Sequence, residues 1–186
     1  TVATAKVAIT AVILLLVVAA AALPIAARAA LVFDTRIDGP TGDDPVGVAS
    51  GDLNGDGHED LVVTARASHD IAILLGRGDG AYDQMPRLAA DYSPESILIA
   101  RMDADAHPDL VAVCRYGDCV AVYLGAGDGT FAAAVEYGGV ADPVWVDGAD
   151  LNGDGAIDLV VADQDYDRLA VFMGQGDGTL AVPSYV

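Results

Sequence analysis

The chain has 186 residues, 28 acidic against 9 basic side chains and a formal charge of −19, yet 53% of its residues are hydrophobic. The two properties occupy different stretches, because residues 1–30 hold Lys6 and Arg28 and no acid. Residues 31–186 are therefore strongly acidic, which argues against nucleic acid as a partner, since phosphate binding depends on Lys and Arg. Residues 31–186 suffice for one globular domain with a core and are too short for two ordinary ones.

The first element in chain order is an apolar segment. Residues 7–23 contain one polar residue, Thr10, and a helix of roughly 20 residues is long enough to cross a bilayer core. A cleaved secretory signal peptide is one interpretation, because Lys6 gives a basic start and residues 27–29 have the small-x-small pattern of a cleavage site. Since the chain begins at Thr1 rather than Met, we expect a retained helix that is either a membrane anchor or the core of a polymer.

Residues 1–30 resemble the N-terminal helix of type IV pilins and their archaeal relatives. The apolar run of residues 7–23 and the helix-breaking Pro24 near its end carry the resemblance. It implies that the helix lies in a membrane before assembly and then self-associates through residues 1–30 in the core of a helical filament, with a globular head outside. A plain single-span membrane anchor is the alternative.

Three blocks of 49 residues follow without a gap, at residues 33–81, 82–130 and 131–179. A proline recurs at positions 45, 94 and 143, an Asp-Leu-Val triplet begins at positions 60, 109 and 158, and a Gly-x-Gly-Asp-Gly segment begins at positions 76, 125 and 174. A fixed period over so many positions indicates a repeat architecture, in which one block is one structural unit.

The apolar runs within a block are short and bounded by Gly, Pro and Asp, which is typical of strands. In the first unit the sequence predicts strands at residues 46–50, 61–65, 71–75 and 81–88, which together form a four-stranded antiparallel sheet. Complete units span about residues 45–88, 94–137 and 143–186. Residues 31–37 predict a spare strand, equivalent to residues 180–186, and each can cap a sheet edge in the chain or on a neighbouring subunit.

An Asp-rich loop of nine residues connects the first two predicted strands, at residues 52–60 and again at residues 150–158. Side-chain oxygens stand at loop positions 1, 3, 5 and 9, and a backbone carbonyl is available at position 7. Calcium takes about six to eight oxygen ligands, and both asparagines of the chain occupy position 3. The predicted calcium ligands are Asp52, Asn54, Asp56, His58 and Asp60 in one loop and Asp150, Asn152, Asp154, Ala156 and Asp158 in the other.

The middle loop departs from this pattern, with Arg101 at position 1 and alanine in place of both glycines. We expect Arg101 to take the place of the ion and to neutralise Asp103, Asp105 and Asp109 by charge-assisted hydrogen bonds. The sequence therefore predicts two calcium sites and a degenerate third one that is empty or very weak.

These loops and turns resemble FG-GAP or VCBS repeats, the blade units of integrin α-type β-propellers. The resemblance rests on Asp-Leu-Asn-Gly-Asp-Gly followed by Asp-Leu-Val-Val and then by Gly-x-Gly-Asp-Gly, and it covers about residues 31–186. It implies blades with calcium between the first and second strands, and extracellular binding or adhesion rather than catalysis. Propellers have at least about four blades. Three units therefore either pack around a pseudo-threefold axis as a prism or pair their exposed edges with other subunits.

Cys114 and Cys119 flank the predicted hairpin between the second and third strands of the middle unit. We expect a disulfide between them, formed in an oxidising compartment and replacing the missing ion as a stabilising element. The sequence places no nucleophile and base in a common catalytic arrangement, so an enzyme is not expected.

These inferences combine into a mainly β protein with three four-stranded blade-like repeats, propeller-like or prism-like, preceded by one long hydrophobic helix. The expected function is a structural subunit of an extracellular, pilus-like filament, with helices in the core and calcium-stabilised repeats on the outside. The alternative is a membrane-anchored or secreted adhesion module that depends on calcium.

Overall fold

Short apolar runs between Gly, Pro and Asp fold as thirteen strands in residues 41–186, the part of the chain that the computed structural model describes. The first sheet contains β1 (Pro45–Gly51), β2 (Asp60–Ala65), β3 (Asp70–Gly76), β4 (Tyr82–Gln84) and β5 (Leu88–Ala89). The second contains β6 (Pro94–Ala100), β7 (Asp109–Cys114), β8 (Cys119–Tyr123) and β9 (Val135–Tyr137). The third contains β10 (Pro143–Ala149), β11 (Asp158–Asp163), β12 (Arg168–Phe172) and β13 (Ser184–Tyr185).

Each sheet follows chain order, and every neighbouring pair of strands is antiparallel. The predicted mainly β fold with three antiparallel sheets is therefore confirmed, and residues 41–186 contain no helix. It follows that no helix in this range is long and apolar enough to cross a membrane. The predicted N-terminal helix, the boundary between residues 30 and 31 and the spare strand at residues 31–37 lie outside the described residues.

The fourth strand of the first unit differs from its prediction as one strand over residues 81–88. It is split into β4, which pairs with the end of β3, and β5, which pairs with its start. Pro86 lies in the gap, and a proline has no N–H to donate to the ladder. The second and third sheets have a similar interruption, where isolated bridges between Gly125 and Phe131 and between Gly174 and Leu180 replace the first part of the strand. Pro183 lies in the gap of the third sheet, but residues 132–134 in the gap of the second are all alanine, so proline is not what the three interruptions share.

The three sheets stack face to face in chain order, so that the middle sheet is covered on both sides. Successive side chains of a strand point to opposite faces, and both β7 and β8 are buried at every position. The core between the first and second sheets includes Val62, Ile71, Leu110 and Tyr123. The core between the second and third sheets includes Val111, Val120, Leu159 and Phe172.

The stack is open at its third sheet. On the face that points away from the second sheet, Trp145 is 65% exposed and Leu169 is 44% exposed. Each junction joins opposite faces of successive sheets, so three sheets in a row leave a free face at the end. The described residues therefore do not form the closed pseudo-threefold prism that was one of the expected alternatives.

Candidate metal centre

The loop between β1 and β2 is organised by the carboxylate at its first position. One oxygen of Asp52 accepts hydrogen bonds from the N–H groups of Gly55 (2.8 Å) and Asp56 (3.2 Å), and the other accepts from Gly57 (2.9 Å). Gly55 and Gly57 have φ values of 76° and 83°, a left-handed conformation that glycine adopts without steric cost. The sequence folds tightly here because an acceptor and two permissive residues occur at the right spacing.

Positions 3, 5 and 7 of this loop form a chain of hydrogen bonds. The Asn54 carbonyl oxygen accepts from the Asp56 N–H at 3.0 Å, and the Asp56 carboxylate accepts from the His58 N–H at 2.8 Å. The Asn54 amide also donates to Asp56, at 3.0 Å. The His58 N–H, followed by the Asn54 amide, holds the pKa of Asp56 below its ordinary value. Asp56 is therefore fully charged at neutral pH.

Position 7 contacts the Gly-x-Gly-Asp-Gly turn at the end of the third strand. A Cβ added to Gly78 would lie 2.4 Å from the His58 ring, and one added to Gly127 would lie 2.1 Å from the His107 ring. Ala156 takes this place in the third sheet, 3.7 Å from an added Cβ on Gly176. The side chain at position 7 thus packs on the turn and leaves its backbone carbonyl as the group for a cation.

The aspartate at position 9 is buried and joins the loop to that same turn. Asp60 accepts from the N–H groups of Leu53 (2.8 Å) and Gly76 (2.7 Å), one on each oxygen. Asp158 accepts from the corresponding N–H groups, at 3.0 Å and 2.8 Å. Both side chains belong to residues with 0% exposure. The predicted ligand at this position is therefore also a structural link of its sheet.

The third sheet repeats the hydrogen bonds of the first. Asp150 accepts from Gly153 (2.7 Å), Asp154 (3.2 Å) and Gly155 (3.0 Å), and Asn152 accepts from the Asp154 N–H at 2.8 Å. The N–H groups of Gly155 and Gly153 lower the pKa of Asp150. Two loops 98 residues apart in sequence thus have one geometry.

The middle loop keeps part of this geometry and loses the rest. Asp109 accepts from Met102 (2.7 Å) and from Gly125 (2.8 Å), as position 9 does in the other sheets. Burial raises the pKa of Asp109. Ala104 and Ala106 are absent from the left-handed residues of the described range, unlike the glycines that they replace. The backbone of the middle loop therefore differs at these two positions.

Arg101 does not neutralise its own loop as expected. It is exposed, and no ion pair of the described residues joins it to Asp103, Asp105 or Asp109. A guanidinium cannot accept the N–H groups that Asp52 accepts, so Arg101 cannot organise its loop as Asp52 does. Arg101 instead lines a shallow groove between its loop and Asp154 of the third sheet.

The donor set of the first and third loops fits a hard divalent cation. All side-chain donors are oxygens, as calcium requires. Among the described residues, the carboxylates of one loop do not all converge to within 4.8 Å of one another. A carboxylate has about four lone-pair sites, so an oxygen that accepts one N–H can still bind a cation. Calcium would be held by Asp52, Asn54, Asp56, Asp60 and the His58 carbonyl, and by their counterparts in the third loop.

Cys114 and Cys119 lie directly opposite each other at the ends of β7 and β8. Both are buried and both are free thiols in the structure. Opposed residues of antiparallel strands have Cα atoms about 4.5–5.5 Å apart, which lies within the disulfide range of about 4.4–6.8 Å. The hydrogen bond with Cys114, and then burial, raises the pKa of Cys119. The disulfide stays a prediction that this placement allows.

The sequence did not reveal the acidic residues beside these thiols. Asp91 and Glu136 place carboxylate oxygens within 4.8 Å of the Cys119 sulfur and of each other. Asp91 belongs to the link between the first two sheets and Glu136 to β9. No spacing in the sequence connects three residues from such different elements.

Comparison with known proteins gives matches to one repeat family. The FG-GAP-like repeat matches residues 52–112 and 101–161, which together cover the Asp-rich loops of the first and third sheets and the middle loop. A search of curated proteins gave no match.

Several solved structures share the fold. A functionally unknown protein from Desulfotomaculum acetoxidans has 16% identity and a TM-score of 0.59, over 76% of this chain and 42% of that one. The periplasmic gluconolactonase PpgL of Pseudomonas aeruginosa has 16% identity and a TM-score of 0.56, over 76% and 39%. An Agrocybe aegerita lectin that recognises non-reducing terminal N-acetylglucosamine has 21% identity and a TM-score of 0.52, over 76% and 38%. The chain thus matches about two fifths of the length of each neighbour.

Proposed function

The chain belongs to the FG-GAP-like repeat family, and from that premise we propose that it is a structural subunit of an extracellular, pilus-like filament. Residues 1–30 self-associate in the filament core, and the repeat domain forms the outer wall. The observation that carries this proposal is the apolar run of residues 7–23, with Thr10 as its one polar residue, joined to a domain that holds every acid of the chain. In a retained helix, such a run is suited to burial in lipid or against copies of itself.

Calcium is part of the proposal. The support is the equal hydrogen bonding of two oxygen-rich loops, in which Asp52 and Asp150 each order three backbone N–H groups. A bound cation offsets the repulsion between the acids of a loop and links β1 to β2. Extracellular calcium modules bind at about 10⁻⁴–10⁻³ M, which suits a protein outside the cell.

An oxidising location is a second part of it. The opposed and buried Cys114 and Cys119 suit a disulfide, and disulfides persist mainly in secreted and surface proteins. This bond and the calcium loops together favour the extracellular surface.

A calcium-dependent adhesion or binding module, anchored in a membrane by residues 1–30, is the alternative. A lectin and a gluconolactonase are both among the proteins that share the fold, so the fold alone is compatible with binding and with catalysis. The edges of the three sheets also remain candidates for strand pairing between subunits.

Electron microscopy of the full chain tests the proposal. The chain is purified in detergent with calcium, and the detergent is then removed with and without lipid. We expect regular helical fibres with heads on the outside in both samples, and their loss in Leu15→Asp, which places a charge in the apolar run. Val182→Asp, at a position of the repeat domain that is 92% exposed, is the matched control. Single copies that require detergent or lipid, without fibres, would overturn the proposal and favour the membrane anchor.

A further inference from the structure

The buried thiols of the middle sheet and two nearby carboxylates form a cluster of metal-binding groups. The carboxylate oxygens of Asp91 and Glu136 and the sulfur of Cys119 all lie within 4.8 Å of one another. Cys114 extends the group, because its thiol forms a hydrogen bond with that of Cys119. No other three His, Cys, Asp or Glu side chains of residues 41–186 converge so closely. We call these four residues the thiol–carboxylate cluster.

The topology brings the four side chains to one face of the middle sheet. Cys114 and Cys119 are opposed in β7 and β8, and Glu136 of β9 is opposed two residues further along β8. Opposed residues of antiparallel strands share a face, as do residues two apart in one strand. Asp91 comes from the link between the first two sheets, and a Cβ added to Gly117 of the β7–β8 hairpin would lie 2.7 Å from its carboxylate. The cluster therefore lies at the opposite end of β7 from the Asp-rich loop.

The first sheet has an ion pair at the corresponding place. At the repeat position of Cys119 it has Asp70, and at that of the cluster glutamate it has Arg87. The Arg87 guanidinium donates to the Asp70 carboxylate at 2.7 Å. Gly42 stands at the repeat position of the cluster aspartate, and a Cβ added there would lie 2.8 Å from that guanidinium. The first sheet thus holds a positive charge where the cluster lies in the second.

The third sheet also has a guanidinium at this place. Asp163 and Arg168 stand at the repeat positions of the two cysteines, and Arg168 donates to Asp163 at 2.7 Å. The Arg168 guanidinium lies 3.5 Å from the ring centre of Tyr185, which has the repeat position of the cluster glutamate. In the middle sheet no cationic side chain of the described residues forms an ion pair with Asp91 or Glu136. The middle unit keeps the electron-rich groups and lacks the cation.

A metal ion would supply the missing positive charge. We propose that the thiol–carboxylate cluster, while its thiols are reduced, binds a divalent cation of the zinc class through all four side chains. Thiolate sulfur selects zinc over calcium, and zinc takes four ligands of this kind at about 2.0–2.3 Å. Two such ligands lie at most about 4.6 Å apart, so small rotations of side chains now within 4.8 Å bring them to one ion. Each thiol releases its proton to solvent as the sulfur binds.

The burial of the cluster suits an ion that enters from solvent. Cys114 and Cys119 are 0% and 5% exposed, Asp91 is half-buried and Glu136 is exposed. The ion would reach the thiols past the glutamate and would join the link between the first two sheets to β8 and β9. A disulfide between the same sulfurs removes both thiolates. The metal site therefore belongs to the reduced form of the cysteine pair, and the proposed disulfide belongs to its oxidised form.

Cobalt spectroscopy of the full chain tests the site. The chain is kept in detergent with its thiols reduced by a phosphine, in excess calcium, which competes for sites made of oxygen ligands alone. One equivalent of Co²⁺ should give the ultraviolet charge-transfer band of a thiolate–cobalt bond, and one equivalent of Zn²⁺ should remove it. The same chain with its disulfide formed should give no band.

Matched variants assign the binding to the carboxylates. Asp91→Asn and Glu136→Gln should each weaken Co²⁺ binding at least about tenfold, because even loss of an outer-shell partner costs about 10–100-fold. Asp165→Asn removes an exposed acid from the corresponding hairpin of the third sheet and should leave the affinity unchanged. Glu136→Arg introduces the residue type of the first sheet. It should abolish binding and raise the melting temperature of the reduced, metal-free chain.

The proposal has clear points of failure. A reduced chain without the thiolate–cobalt band would overturn it. So would equal affinity in the wild type and in both carboxylate variants, since the cysteines alone would then hold the ion. Cys114→Ser should halve the band, and an unchanged band would overturn its part in the site. None of these readouts depends on fibres or on calcium in the Asp-rich loops.

Discussion

The loops of the first and third sheets differ from the middle loop at position 1 and agree with it at position 9. Asp52 and Asp150 order three N–H groups each, whereas Arg101 can accept none. In contrast, Asp109 makes the same two hydrogen bonds as its counterparts in the other sheets. The middle loop also keeps the hydrogen bonds from the Asp105 N–H to Asp103 and from the His107 N–H to Asp105. The comparison teaches that a unit can lose the acceptor at position 1, and the turn that it orders, while it keeps the rest of the loop.

The largest expected effect is that of calcium removal on the two intact loops. Calcium at about 100-fold its dissociation constant contributes about 2.7 kcal/mol per site. For two sites, chelation should lower the free energy of unfolding by about 5 kcal/mol. In a domain of this size that is a decrease in melting temperature of roughly 10–20 °C, measured by calorimetry with and without chelator.

Matched variants assign this effect to the loops. Asp56→Ala and Asp154→Ala should each reduce the stoichiometry of calcium in titration calorimetry from two to one. Asp105→Ala, at the same position of the middle loop, should leave it at two. If chelation leaves the melting temperature unchanged, the first and third loops bind no stabilising calcium. If Asp105→Ala loses a third ion, the middle loop binds calcium as they do. Either result would contradict the distinction between the loops.

A smaller effect is expected at the buried aspartate of the middle sheet. Asp109→Ala leaves the Met102 and Gly125 N–H groups without their acceptor, at a cost of about 3 kcal/mol. Because no ion is involved, urea unfolding should give the same loss with calcium and with chelator. Asp103→Ala is the control, and we expect less than about 0.5 kcal/mol there. A loss that disappears in chelator would show instead that the middle loop binds an ion.

The smallest of the three effects concerns the cysteine pair, which only the middle sheet contains. A disulfide that closes so short a loop contributes about 2 kcal/mol on the chain-entropy estimate. Reduction, or Cys114→Ser with Cys119→Ser, should lower stability by that amount. Alkylation of the unfolded wild-type chain without reductant should add no mass. Two added groups would mean that both thiols are free and that the middle sheet has no covalent substitute for an ion.

The repeat frame was predictable because its signals are local. The period of 49 residues placed the strands, and the glycines of residues 52–60 and 150–158 placed the tight loops. Oxygen side chains at alternate positions identified the candidate site. The split of the fourth strand has no such common signal, because Pro86 and Pro183 lie at two of the interruptions and alanines lie at the third.

Contacts between units could not be read from the sequence. Arg115 of the second sheet donates to Asp142 at 2.9 Å across 27 residues, and these hydrogen bonds lower the pKa of Asp142. No sequence motif predicts such an ion pair. The exposure of Arg101 and the open end of the stack likewise depend on which faces meet. The exposure of Trp145 could have been inferred from the repeat alignment, because glycine and serine occupy its position in the two covered units.

The link that Asp109 makes between its loop and its turn has a consequence for the order in which the molecule loosens. It acts without metal, and it belongs to the sheet that is covered on both sides. When calcium is scarce, the two outer sheets keep the hydrogen bonds of Asp60 and Asp158 but lose the support of their ions, whereas the central layer has no ion to lose. Amides of β7 and β8 would then exchange with solvent last, around a head that softens from its two ends inward.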